Sequence, residues 1–236
     1  MPSKKYWKKI TLGFLDSLKK ASGTRIKLFG YSFVILPDVF SPSCSSDTEW
    51  FAKKLIPYVK NLSFLEIGTG TGIIAALAAL NGSSPVVATD INPNAIENAK
   101  LNRQLLKLDF SIREGNVFDP INENEFFDAI FWNHPFNYSE ERSLQEDPLG
   151  SSVFDYRYEA LEEFLHKGKK HLKKNGKIFL GSSNIARIQL IKQIAKKEGY
   201  SFTLLKKSEV PAYKTRKVKM DVRLYALEVK NRLKIS

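Results

Sequence analysis

Three glycines at every second position, Gly68, Gly70 and Gly72, follow the short apolar stretch Phe64-Leu65-Glu66-Ile67 and precede an Ala/Ile/Leu run from Ile73 to Leu80. A turn joining a strand to a helix at this point needs positive φ angles and close backbone approach to a ligand, and glycine supplies both. Two ligand chemistries compete for it. Gly70-x-Gly72-x-x-Ala75 fits the dinucleotide fingerprint, with Asp90 eighteen residues after Gly72 in the place of a ribose-binding acid. Glu66, two residues ahead of the first glycine, would then face a pyrophosphate and repel it. A zwitterionic amino-acid ligand with an ammonium group suits that carboxylate better.

A second constellation, Trp132-Asn133-His134-Pro135-Phe136, closes the aromatic-rich stretch that begins at Phe126. The Glu66-to-Gly72 loop and this second motif together resemble S-adenosylmethionine-dependent methyltransferases of the methyltransferase-small-domain type. By that resemblance Glu66, Gly68, Thr69, Gly70 and Gly72 hold the methionine part of the cofactor S-adenosylmethionine, and Asp90 takes the ribose hydroxyls. Ile91 covers one face of adenine, and Asn116, with Val117 next to it, meets the adenine edge. The acceptor motif resembles the Asn-Pro-Pro-Phe/Tyr of enzymes that methylate nitrogens conjugated to a π system. In that family pattern Asn133, which also touches the cofactor, accepts one N–H through its carboxamide oxygen and the His134 carbonyl accepts the other. Pro135 fixes the backbone and Phe136 stacks on the planar group. Localising the nitrogen lone pair and aiming it is the whole catalytic task.

His134 departs from the pattern, where proline is usual, and adds a titratable ring that could take the proton released on transfer. Leu36-Pro37-Asp38-Val39-Phe40-Ser41 resembles ribosomal RNA guanine methyltransferases, and Pro42 followed by Asp47-Thr48-Glu49 resembles release-factor glutamine methyltransferases. In both families this stretch packs over the cofactor.

These residues need a scaffold, and the punctuation of the chain supplies one. Strands are expected at Phe64–Ile67, Pro85–Asp90, Phe110–Arg113, Phe126–Trp132, Lys177–Leu180, Tyr200–Leu205 and Val222–Val229. Helices are expected at Ile73–Leu80, from Asn92-Pro93 to Lys107, at Tyr156–Lys173 and at Ile185–Glu198. The alternation implies an α/β fold, a Rossmann-like seven-stranded mostly parallel sheet with helices on both faces. A helix at Tyr6–Lys20 and a hairpin at Arg25–Val39 form a small N-terminal accessory, so residues 1–40 are assigned to an extension and 41–236 to the methyltransferase domain.

Charge is segregated along the chain. Residues 1–27 carry net +7, residues 28–165 net −11 and residues 166–236 net +16, giving +12 overall. Basic arms around an acidic centre favour RNA or a ribosome-associated substrate, with Lys214, Arg216, Lys217 and Lys219 as phosphate contacts and Tyr213 and Trp7 as stacking residues. The single cysteine, Cys44, and the absence of a 20-residue apolar run or signal sequence point to a cytoplasmic protein that does not enter a membrane. No metal is expected, since His166 and His171 have no thiol or carboxylate cluster around them. The resulting expectation is an N-methyltransferase acting on an RNA base amine. A protein glutamine amide is the alternative acceptor, and a non-catalytic cofactor-binding protein is the reading outside enzymology. Oligomeric state is left open.

Overall fold

The computed structural model describes residues 4–21, 23–212 and 219–230, with side chains from residue 9 onward. Helix α1 (Lys4–Lys20) and the hairpin β1 (Thr24–Leu28) and β2 (Tyr31–Ile35) lead into α2 (Asp47–Val59). Strand and helix then alternate through β3 (Phe64–Ile67), α3 (Ile73–Leu80), β4 (Val86–Asp90), α4 (Pro93–Leu105), β5 (Ser111–Glu114) and β6 (Phe127–Asn133). An insertion follows, made of β7 (Asn137–Ser139), a 3-10 turn at Arg142–Gln145, α5 (Pro148–Val153) and β8 (Phe154–Tyr156). The chain finishes with α6 (Glu159–Gly168), β9 (Leu172–Ser183), α7 (Ile188–Lys197), β10 (Tyr200–Pro211) and β11 (Lys219–Val229).

Seven strands form the central sheet in the order β10-β11-β9-β6-β3-β4-β5. The four pairings among β9, β6, β3, β4 and β5 are parallel, while β11 runs antiparallel to both its neighbours. The α/β reading of the sequence is thus the fold observed. Along β6, Ala129 and Phe131 join the apolar layer under α2 and α3, whereas Ile130 and Trp132 join the layer under α6 and α7. A strand covered on both faces must read as a nearly continuous apolar run, as Phe126–Trp132 does apart from Asp128, whose Oδ2 accepts from Ser63 N and Oγ. Chain order reverses between β3 and β6, so their carboxyl ends open a crevice where such sheets bind ligands.

The N-terminal elements pack on the elements that flank this crevice. On α1, Thr11, Phe14, Leu15 and Leu18 are buried at helical spacing, and the three apolar ones pack on Leu149, Val153 and Phe154 of the insertion. Two buried asparagines of α4 stitch β2 to the sheet. Asn98 Oδ1 accepts from Leu36 N at 2.8 Å, and Asn102 Oδ1 accepts from Val34 N at 2.8 Å. Asn102 Nδ2 also donates to Thr71 O at 2.8 Å, tying hairpin, helix and glycine loop together.

Several boundaries differ from the sequence expectation. The helix expected at Tyr156–Lys173 is confined to Glu159–Gly168, because Asp155 caps its start and His171 O already accepts from Phe127 N at the head of β6. Strands β10 and β11 extend well past Leu205 and before Val222, where polar pairs such as Lys207–Asp221 and Lys219–Glu209 replace apolar ones at the sheet margin. Helix α2 was absent from the expectation although Phe51, Leu55 and Val59 are fully buried at i, i+4 and i+8.

Candidate active site

The crevice is a single cleft of about 240 Å³ along the carboxyl ends of β3, β4 and β6. Apart from Gly72, every residue named above from sequence as catalytic or cofactor-binding lines it. Gly68, Gly70 and Gly72 have φ of 63°, 55° and 76°. A Cβ on Gly68 would lie 2.8 Å from the Trp132 indole nitrogen, and one on Gly72 would lie 2.9 Å from Ala99 Cβ. Gly72 therefore serves the approach of α3 to α4 behind the loop. Gly70 differs, since no heavy atom lies within 4 Å of its Cβ position, and its bare face looks into the cleft.

Glu66 is buried beneath this loop, and its Oε2 accepts from Thr69 Oγ1 at 2.6 Å and Ala75 N at 2.9 Å. Burial pushes its carboxyl up to about 8, against these hydrogen bonds and with a smaller push from Asp90. A buried acid with no Lys or Arg beside it among the described residues that line the cleft is a place for a ligand's ammonium group. The sign of the linkage follows. A carboxyl raised above its unfolded value stabilises the ligand-free fold fully below about pH 4.5 and loses that contribution as pH rises through about 8. An ammonium ligand reverses the preference by favouring the carboxylate. Its affinity should therefore rise between pH 6 and about 8, by at most roughly tenfold per pH unit, and binding should release a proton. Calorimetry in buffers of different ionisation enthalpy checks both.

Asp90 closes the opposite side of the loop. Its Oδ2 accepts from Gly70 N at 2.8 Å and its Oδ1 from Asn92 N at 2.9 Å, while burial raises its carboxyl above the ordinary value. Ile91 next to it is 59% exposed at the cleft wall, an unusual position for isoleucine unless a planar apolar group covers it. Asn116 donates from Nδ2 to Glu163 Oε2 at 3.1 Å, which leaves its carboxamide oxygen as the free end, an acceptor suited to an exocyclic amine. Val117, at φ 40°, completes this end of the cleft.

At the other end stands the acceptor motif. Asn133 Nδ2 donates to Asp47 Oδ2 at 3.3 Å, and Asn133 Oδ1 is buried with no hydrogen-bond partner. An orphaned carbonyl oxygen in a cleft wall is costly unless a ligand N–H completes it. The carbonyl of Phe136 accepts from Tyr158 Oη at 3.0 Å, and Tyr158 Oη in turn accepts from Arg187 N, which clamps the loop beyond Pro135. Phe136 contacts His134 edge-on, with ring centroids 5.8 Å apart.

His134 needs a correction. Its ring is 1% exposed, boxed by Trp132, Phe136 and Tyr158, with Nε2 3.1 Å from Ser182 Oγ. Burial pushes it down to about 3, so it is neutral at physiological pH and is no acceptor for a released proton. Its Nδ1 is buried without a hydrogen-bond partner among the described residues.

Sequence reasoning missed the wall supplied by the insertion, which brings Asn137, Pro148, Ser152 and Asp155 to the cleft. Asp155 accepts from Ala160 N and Leu161 N, and burial raises its carboxyl to about 7. The cleft lining contains four carboxylates, Asp47, Glu66, Asp90 and Asp155, and neither Lys nor Arg.

Comparison with known proteins adds the following. The methyltransferase domain family matches residues 59–222. A relative in Methanocaldococcus jannaschii, provisionally named a protein N5-glutamine methyltransferase, is 30% identical over 167 residues, covering 68% of this chain and 80% of the relative. The release factor glutamine methyltransferase of Flavobacterium psychrophilum is 30% identical over 135 residues, covering 55% of this chain but only 46% of its own length. The 16S rRNA N2 methyltransferase of T. thermophilus, solved with AdoMet and guanosine, superposes with a TM-score of 0.64 at 17% identity, over 88% of this chain and 50% of that one. At that identity the likeness is one of fold.

Proposed function

Because the chain belongs to the S-adenosylmethionine-dependent methyltransferases, we propose that its cleft aligns a conjugated –NH₂ group of a macromolecule for direct N-methylation. The observation that carries this reading is the buried, unpartnered Oδ1 of Asn133 at the acceptor end of the cofactor cleft. The residues fit the cofactor, with Glu66 for the ammonium group, the open face of Gly70 for close backbone approach, Asp90 for the ribose hydroxyls, Ile91 and Val117 for the adenine faces and Asn116 for its amine. When bound, S-adenosylmethionine supplies an electrophilic methyl group on sulfonium. Asn133 Oδ1 and the His134 carbonyl each accept one N–H of the acceptor, which pins its plane and directs its lone pair along one line. Phe136 covers that plane, and the Tyr158 clamp keeps the loop from relaxing. Residues 1–40 act as an extension that walls the acceptor end, where Phe40 lines the cleft and Thr11 Oγ1 donates to Asn137 Oδ1 at 3.2 Å.

Two predictions test the assignments individually. Asp90→Ala should weaken S-adenosylmethionine by on the order of 1–3 kcal/mol, the cost of unpaired hydroxyls. Asp90→Asn, which keeps one accepting oxygen where Asp90 uses two for the Gly70 and Asn92 N–H groups, should weaken it as well. His134→Pro should keep turnover within about tenfold, as expected if only the carbonyl is used and the ring is neutral throughout; a fall of about 100-fold or more would return the imidazole to the chemistry.

For the acceptor, two substrates suit the same geometry. The basic terminal segments support an RNA base amine in a cytoplasmic, translation-related setting. Against this, Lys167, Lys169, Lys173, Lys177, Lys207 and Lys219 are already in ion pairs with the protein's own acids. Tyr213, Lys214, Arg216, Lys217 and the Trp7 side chain lie outside the described residues. The carboxylate-lined cleft and the naming of the M. jannaschii relative support a glutamine amide. Labelled methyl transfer into a cell extract, digested separately with ribonuclease and protease, decides between them. Label in neither fraction would refute the proposed function. No helix among the described residues is long and apolar enough to cross a membrane.

A further inference from the structure

We infer that Asp47 is the positioning residue of the acceptor site, its carboxylate holding the Asn133 carboxamide in the one orientation that leaves Oδ1 to the substrate nitrogen. The inference rests on the role of Asn133 proposed above and goes beyond it. A carboxamide has nearly the same shape either way round, so packing cannot choose between presenting Oδ1 and presenting Nδ2. Hydrogen bonding must choose. Asn133 Nδ2 donates to Asp47 Oδ2 at 3.3 Å across 86 residues of sequence. Burial raises the Asp47 carboxyl above its ordinary value, and the hydrogen bonds from Asn133 and Thr48 oppose that rise. The oxygen that meets Asn133 is an acceptor, and an acceptor there selects the nitrogen end and turns the amide oxygen away from itself.

Asp47 is in turn held. It is 3% exposed, stands in the first turn of α2, and its Oδ1 accepts from Thr48 N at 2.9 Å. At the oxygen end of the amide, the bare face of Gly181 makes room for Asn133 Oδ1, which lies only 2.8 Å from where a Cβ would sit, with Phe51 of α2 next to it. The flipped amide would offer two N–H donors to an –NH₂ acceptor group, a donor-to-donor clash in the place where catalysis needs an acceptor.

The experiment pairs structure with turnover. In ¹⁵N-labelled full-length protein, the Asn133 side-chain amide is identified by its loss in Asn133→Ala. Asp47→Ala should speed its hydrogen exchange by about tenfold or more. The same variant should slow methyl transfer from tritiated S-adenosylmethionine into a gel-filtered cell extract roughly 10- to 100-fold, with cofactor affinity unchanged. Asp47→Asn, whose amide offers a donor as well as an acceptor and so selects less strictly, should recover only part of the rate. Asp47→Ala placed on Asn133→Ala should cost nothing further. If Asn133→Ala is inactive but Asp47→Ala turns over at the wild-type rate, the positioning role fails and the acceptor reading stands. Added loss in the double variant makes Asp47 merely structural. Normal turnover of Asn133→Ala removes both.

Discussion

Asn133→Ala should lower methyl transfer roughly 100-fold to 1,000-fold, the usual loss on removing one preorganised polar contact to the reacting group. S-adenosylmethionine affinity should stay within about threefold of wild type, because the oxygen removed has no partner in the fold. The only intramolecular bond lost is the one from Nδ2 to Asp47, and Asp47 keeps its bond from Thr48 N. Initial rates with labelled cofactor, measured beside binding by calorimetry, separate the two quantities. A parallel loss of rate and affinity would mean that Asn133 shapes the cleft rather than the acceptor.

Gly70→Val should abolish practical cofactor binding, with a loss of about 100-fold or more, corresponding to about 3 kcal/mol. At φ 55° a β-branched residue is strained, and its side chain would fill the one part of the loop that no protein atom approaches. If the loop relaxed to relieve the strain, Gly70 N would leave Asp90 Oδ2 and take that carboxyl out of register. Gly72→Val should act differently. Its Cβ would strike Ala99, so its cost should appear first in thermal stability. A Gly70→Val protein that binds S-adenosylmethionine normally would displace the cofactor from this loop.

Most of the cofactor end was legible because it is local. Gly68, Gly70 and Gly72 sit within one turn of Glu66, Asp90 ends the next strand, and both acids face the cleft. The turn's steric demands select residue types that leave few alternatives. Gly72 shows the limit of the motif, since glycine signals either a ligand or a neighbouring helix, and the sequence does not show that Ala99 lies against it. The acceptor end was legible as a motif but not as a mechanism. That His134 is sealed in an aromatic box depends on Tyr158 and Ser182, far along the chain, and sequence gives no measure of that burial. The Asp47–Asn133 bond is invisible for the same reason. Helix α2 was obscured by the Ser- and Pro-rich approach at residues 41–46 and by Pro57 inside it, although its apolar spacing was present.

The most direct test is to identify the methylated atom. Wild-type protein incubated with isotopically labelled S-adenosylmethionine and a cell extract should place label on the nitrogen of a planar –NH₂ group, in RNA or in a glutamine side chain, as read by mass spectrometry of nucleoside and peptide digests. Asn133→Ala, still able to bind the cofactor, should place none. Label on oxygen, sulfur or carbon, or equal labelling by Asn133→Ala, would contradict the account.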